Sequence, residues 1–353
     1  MKSREQPVMV VHGPEIFDKG YVRRLIDAIR PGRILVAGVM ARTAAEESGL
    51  PVEYSGVRPS VAIQETEGRV FLANYGKTPL SGRIFGEIIA ERLGNRGLIQ
   101  VECSDHVIYR WNAGDNQFAR RLCELTGYRL ENVVTEIRER DRTLRTIRGC
   151  IPGEPVFVNG TVVGCATEGT VLISIHEGHI APVSGIRIKA HGIEKLERGG
   201  PVDPENAWCK SGVVRRPRPA PRTALQIKTR WGRVIAIDHC GFDVYHYLRD
   251  DVCGILAIGD DTTAVCGHIC VHLGIPVLGI TDGDEDNIIC GEYAPGSIIV
   301  RITRGSDDDV GHELSSDLVH GPVEWNSWVM LQIGRIGDRG RVVYPVNHLS
   351  TEQ

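Results

Sequence analysis

The stretch CGILAIGDDTTAVCGHICVHLGIPVLGIT, residues 253–281, decides the fold. Its first seven residues are almost wholly apolar, which suits a strand covered on both faces. After two aspartates, residues 264–273 read as a helix, and PVLGIT at 276–281 is a second buried strand. Strand, helix and strand in so short a span make a crossover unit, and crossover units build parallel sheets.

The alternation continues on both sides. RVIAID at 233–238 is a strand followed by a helix over 242–248, and SIIVRI at 297–302 is a fourth strand. A short helix near 325–331 and a last strand, RVVYPV at 341–346, complete a C-terminal α/β lobe over 226–353. An N-terminal α/β lobe over 1–148 repeats the plan, with strands at 8–13, 33–38, 69–76 and 98–103. Helices are expected over 13–30, 42–48, 79–93 and 115–125; the third starts with proline in its first turn. Between the lobes, GEPVFVNGTVVGCATEGTVLI carries Asn159-Gly160 between two apolar runs, a hairpin signal. The expected fold is therefore two doubly wound, mainly parallel α/β lobes joined by a small antiparallel β unit at 149–197. A Pro/Arg-rich linker follows at 198–225.

Composition limits the functions on offer. Apolar residues make up 42% and charged residues 24%, so a core can form in every part but the linker. The net charge of −4 argues against a protein that coats nucleic acid along its whole surface. From Cys209 to Arg233, however, eight Lys/Arg stand without an acid. That strip is either a solvated connector or a docking site for an acidic protein or an RNA backbone. The first residues, MKSREQ, are charged, the apolar run behind them is only a strand long, and no stretch nears the ~20 apolar residues that span a bilayer. A cytoplasmic protein with no membrane contact is expected. Its ten cysteines, none in a CxxC pair, read as reduced thiols.

Chemistry is expected beyond the carboxyl ends of the strands, where loops and helix starts converge. Three consecutive C-terminal strands end in acid: Asp238, then Asp260-Asp261, then the run from Asp282 to Asp286 that includes Asp284. Like charges gathered at one sheet edge repel unless a cation neutralises them or some take up protons. Oxygen-rich clusters suit Mg²⁺. We expect Asp238, Asp260, Asp282 and Asp284 to bind Mg²⁺, against the alternative that such aspartates cap helices and make turns. In the N-terminal lobe, NYGKTPLSGR offers Lys77, Thr78 and Arg83, and AGVMARTA offers Arg42 and Thr43, at helix starts that favour an anion. These would serve a phosphate-bearing small molecule. In CGHICVH, Cys266 and Cys270 share one helix face and His268 and His272 the other, so the four cannot hold one metal.

The order of the strand-end acids resembles the Toprim domain, in which a glutamate after one strand and an Asp-x-Asp pair after a later one hold Mg²⁺. Here Asp238 stands where that glutamate would be. GDDTTAVCGHICVHLGIPVLGI also resembles the swivelling phosphohistidine domains, with Val265 at the position of their histidine, so only the fold fragment is implied. GPEIFDKG, AGVMARTA, NYGKTPLSGR, GEPVFVNGTVVG and IGDDTTAVCGHICVHLGIPVLGITDGDED together resemble an archaeal family, found chiefly in methanogens, known only as a domain of unknown function. That resemblance implies an archaeal protein and carries no catalytic residue. Two functions are expected in competition. One is Mg²⁺-dependent binding or transfer on a nucleotide, a phosphorylated cofactor precursor or a nucleic-acid end. The other is a non-catalytic binding or assembly protein for a methanogen enzyme.

Overall fold

In Val8–His12 (β1) the first four residues are apolar and buried, three of them valine, and the neighbouring strands share that character. In the computed structural model, described over residues 6–135, 143–198, 200–204, 207–213, 215, 231–238, 240–283, 293–316, 318 and 321–344, the chain forms two units. One comprises residues 1–156, 164–189 and 197–212; the other comprises 157–163, 190–196 and 213–353.

In the first unit, β1 is followed by α1 (Glu15–Asp18), α2 (Tyr21–Ile29), β2 (Arg33–Ala37), α3 (Val39–Ser48), β3 (Glu53–Tyr54) and α4 (Pro59–Glu65). The chain returns through β4 (Val70–Asn74), α5 (Pro79–Leu93), β5 (Leu98–Glu102), β6 (Val107–Trp111), α6 (Asn116–Thr126) and β7 (Arg129–Val133). The sheet order is β3-β2-β1-β4-β5-β6-β7. All neighbours run parallel except β5 and β6. Alternate residues of β1 face opposite layers: Met9 and Val11 meet α1, α2, α3 and α6, while Val8 and Val10 meet α4 and α5. The chain moves outward one way from β1 and the other way from β4, so their following loops part between them. Such a reversal is where open α/β sheets hold ligands.

The expected helix over 13–30 breaks at Gly20, which takes a left-handed φ of 74° between α1 and α2. Helix α5 starts where its proline predicts. Thr78 caps it, its hydroxyl accepting from the Ser81 amide at 3.1 Å, while Ser81 Oγ accepts from the Thr78 amide at 2.9 Å. The helix lies close on β5. Gln100 is fully buried and donates to Asn74 Oδ1 at 2.9 Å and the Gly82 carbonyl at 2.8 Å, and accepts from Trp111 Nε1 at 2.8 Å. Gly86 gives that amide its room, since a Cβ there would overlap it.

The middle of the chain is antiparallel, as its sequence predicts. It comprises β8 (Leu144–Arg148), β9 (Pro155–Val158), β10 (Thr161–Ala166), β11 (Thr170–His176), β12 (His179–Ser184), β13 (Ile186–Ile188), α7 (Ala190–Arg198) and β14 (Cys209–Ser211). These strands form sheets ordered β12-β11-β8 and β13-β10-β9-β14. Asn159 and Gly160 both take positive φ, 48° and 90°, as a two-residue hairpin turn requires.

The second unit adds β15 (Trp231–Asp238), α8 (Val244–Tyr247), β16 (Val252–Ile258), α9 (Asp260–Leu273), β17 (Val277–Thr281), β18 (Ile298–Ile302), α10 (Asp307–Ser316), β19 (Val323–Glu324), α11 (Trp325–Ile336) and β20 (Gly340–Tyr344). Its sheet runs β19-β15-β16-β17-β18-β20, with β15 to β18 parallel and an antiparallel strand at each edge. Leu256, Ile258, Leu278 and Ile280 pack with Val310 and Leu314 of α10 and with Trp325 and Trp328 of α11. Four parallel strands thus deliver four carboxyl ends to one edge.

Candidate metal centre

At that edge Asp260, Asp282 and Asp307 each place a carboxylate oxygen within 4.8 Å of the others. Asp260 opens α9 directly after β16, Asp282 follows β17, and Asp307 opens α10 a few residues after β18. Asp307 is fully buried, and Asp260 and Asp282 are half-buried. Two residues of α7, one turn apart, enter the group. Lys195 Nζ lies 3.0 and 3.1 Å from the Asp307 oxygens, 3.4 Å from Asp282 and 3.9 Å from Asp308. His191 Nε2 lies 3.2 Å from Asp282.

The electrostatics follow from burial and charge count. Burial, then a hydrogen bond with Asp282, then the charges of Asp282 and Asp307 push the Asp260 carboxyl up to about 8. Burial likewise raises Asp307, with Lys195 pulling the other way. For Lys195 burial acts to lower the ammonium, and the carboxylates of Asp307, Asp282 and Asp308 outweigh it and hold it above its usual value. One ammonium therefore faces more carboxylates than it can neutralise, and this surplus adds to burial in holding the Asp260 carboxyl above its ordinary value. A hard divalent cation accepting carboxylate oxygens would supply the missing positive charge.

The expected quartet is thus partly assembled. Asp260 and Asp282 converge. Asp238 is exposed at the end of β15 and is not among the three converging carboxylates. Asp284 lies outside the described residues. Asp307 was not anticipated, although its signal was present: it follows the fourth strand as Asp238, Asp260 and Asp282 follow the first three. Lys195 and His191 come from the connecting helix, and strand-end reasoning does not reach them.

All of the expected anion residues of the first unit except Arg83 have protein partners. Lys77 Nζ donates to both Glu154 oxygens, at 2.8 and 2.6 Å, and to the Ser211 carbonyl at 3.2 Å. Thr78 is the cap of α5. Arg83 lies exposed on α5. Arg42 pairs with Glu46 at 2.8 Å and stacks over the Tyr54 ring. Thr43 is buried and donates to the Val39 carbonyl at 3.1 Å within α3. On α9, Cys266 and Cys270 are fully buried and His268 nearly so. No group of cysteines and histidines with metal-ligand spacing occurs among the described residues. No helix among them is long and apolar enough to cross a membrane. Most of the basic strip, residues 216–230, lies outside the described residues.

Fold and site define a two-unit α/β protein with a carboxylate–lysine cluster at a parallel sheet edge. The chain belongs to a family of uncharacterized proteins conserved in archaea (DUF2117), which matches residues 9–321. It is 33% identical over 332 residues to the uncharacterized protein MJ0065 of Methanocaldococcus jannaschii, covering 88% of this chain and 90% of that one. No solved structure matches it.

Proposed function

We propose that this protein binds Mg²⁺ through Asp260, Asp282 and Asp307 and uses it to hold a phosphate-bearing ligand. One observation carries the reading: three carboxylates from three successive strand ends lie within 4.8 Å of one another with a single buried lysine among them. The bound ion would neutralise the surplus negative charge and polarise a phosphoryl oxygen. Lys195 would keep Asp307 ionised and in place, and His191 would orient Asp282. The ligand would be a nucleotide, a phosphorylated cofactor precursor or a nucleic-acid end. Calorimetric titration with Mg²⁺ and Mn²⁺ tests this: saturable heat is expected from the natural protein and none from Asp282→Asn. No heat from the natural protein, with or without nucleotide, would overturn it.

A second reading has its own support. Lys195 already gives the cluster a positive charge, so the network can serve as internal scaffolding in a non-catalytic assembly protein that docks a partner through its basic strip. On that reading Asp282→Asn leaves partner capture intact, and there is no metal heat to lose.

A further inference from the structure

Strands β11 and β12 meet in the turn His176-Glu177-Gly178-His179. Glu177 and Gly178 both take positive φ, 52° and 85°, so the loop is two residues long and His176 pairs directly with His179 across it. The register fixes which face the two histidines share. Ile175 and Ile180, one step back on each strand, are buried at 1% and 6% exposure, so His176 and His179 stand together on the open face. Residues paired in this way have Cβ atoms about 5 Å apart. The turn is also clamped from outside: the Val202 amide donates to the Gly178 carbonyl at 3.1 Å, and a Cβ on Gly178 would overlap Pro201.

Glu197, in the last turn of α7, stands behind one of the rings. Its Oε1 lies 3.2 Å from His179 Nδ1 and accepts from the Ile180 amide at 3.4 Å. A carboxylate only accepts, so Nδ1 carries the proton that faces it, and Nε2 is left on the side away from it. The His179 side chain is 74% exposed. A carboxylate behind one ring nitrogen is how metal-binding imidazoles are fixed in tautomer and orientation and made more basic. An exposed pair of this kind does little for stability. Two imidazoles side by side, one of them so prepared, instead suit an ion that takes nitrogen donors at about 2.0–2.1 Å.

We propose that His176 and His179, with Glu197 orienting the latter, form an open bis-histidine site for a divalent transition-metal ion of the Zn²⁺ kind. Two donors are fewer than the three of a catalytic zinc site or the four of a structural one, so water completes the coordination. All three residues belong to the first unit, and the site does not rest on the carboxylate cluster. The test is imidazole nitrogen NMR on the full-length, reduced protein titrated with Zn²⁺. Saturable shifts of both rings with one midpoint are expected, with His179 protonated on Nδ1 in the free protein. His179→Ala is expected to weaken the binding read at His176 at least about tenfold, and Glu197→Ala to weaken it about tenfold while both rings still shift. Asp282→Asn is expected to leave both shifts unchanged. No saturable shift at either ring, a shift confined to one of them, or a His176 shift unaltered by His179→Ala overturns the proposal. If a variant fails to fold, the paired shifts in the natural protein still decide.

Discussion

Lys195 and Asp307 are the pair on which the second unit's site depends. Asp307 is fully buried and the Lys195 side chain is only 9% exposed, so each is the other's main compensation for leaving water. Removing one partner leaves a buried charge uncompensated. Lys195→Met is therefore predicted to lower stability by about 3–5 kcal/mol in a urea titration, and adding Asp307→Asn to recover part of it. Asp260 gives a second prediction, in pH. Its carboxyl titrates near 8 in the folded protein and near its ordinary value when unfolded. The folded state thus holds a proton that the unfolded state has lost, so the stability from this group is present in acid and declines as pH rises from about 4 through about 8. Asp260→Asn is predicted to flatten that decline in metal-free melting curves. A cation competes with the same proton, so Mg²⁺ affinity is predicted to rise across that window; a pH-independent affinity would remove Asp260 from the site.

At the scale of elements, the contact of α5 with β5 is the most tightly specified. Gly86→Ala would drive a methyl into the buried Gln100 amide and disturb its bonds to Asn74, Gly82 and Trp111. A loss of about 1–3 kcal/mol is predicted from chemical denaturation, against about 1 kcal/mol for removing the cap with Thr78→Ala. Helix α5 and the apolar strands β1, β2, β4, β16 and β17 were legible in the sequence because proline, glycine and unbroken apolar runs mark them locally. Strand β7, RLENV, and helix α4, PSVAIQE, were not, since one is a polar edge strand and the other two turns long. Strand β6 lies antiparallel within a parallel sheet, a pairing set by the short Cys103–His106 turn rather than by its own residues. The site was half legible for a similar reason. Strand-end position announces Asp260 and Asp282 and applies equally to Asp307, whereas Lys195 and His191 reach the cluster through tertiary packing alone.

For the molecule as a whole, each unit has its own apolar core and its own sheet edge. A cation held by the ends of β16 and β17 and the start of α10 should act first on the unit that contains them. Hydrogen exchange with and without Mg²⁺ is predicted to show new protection at those segments and at α7, with β1, β2 and β4 unchanged. Protection gained in the first sheet would place the ion elsewhere. The most direct measurement is an anomalous difference map from crystals soaked in Mn²⁺ above pH 8, where Asp260 is ionised. The account predicts a peak within bonding distance of Asp260, Asp282 and Asp307, absent in Asp282→Asn. A map with no peak among these three carboxylates, in crystals that take up Mn²⁺ at another site or not at all, would contradict it.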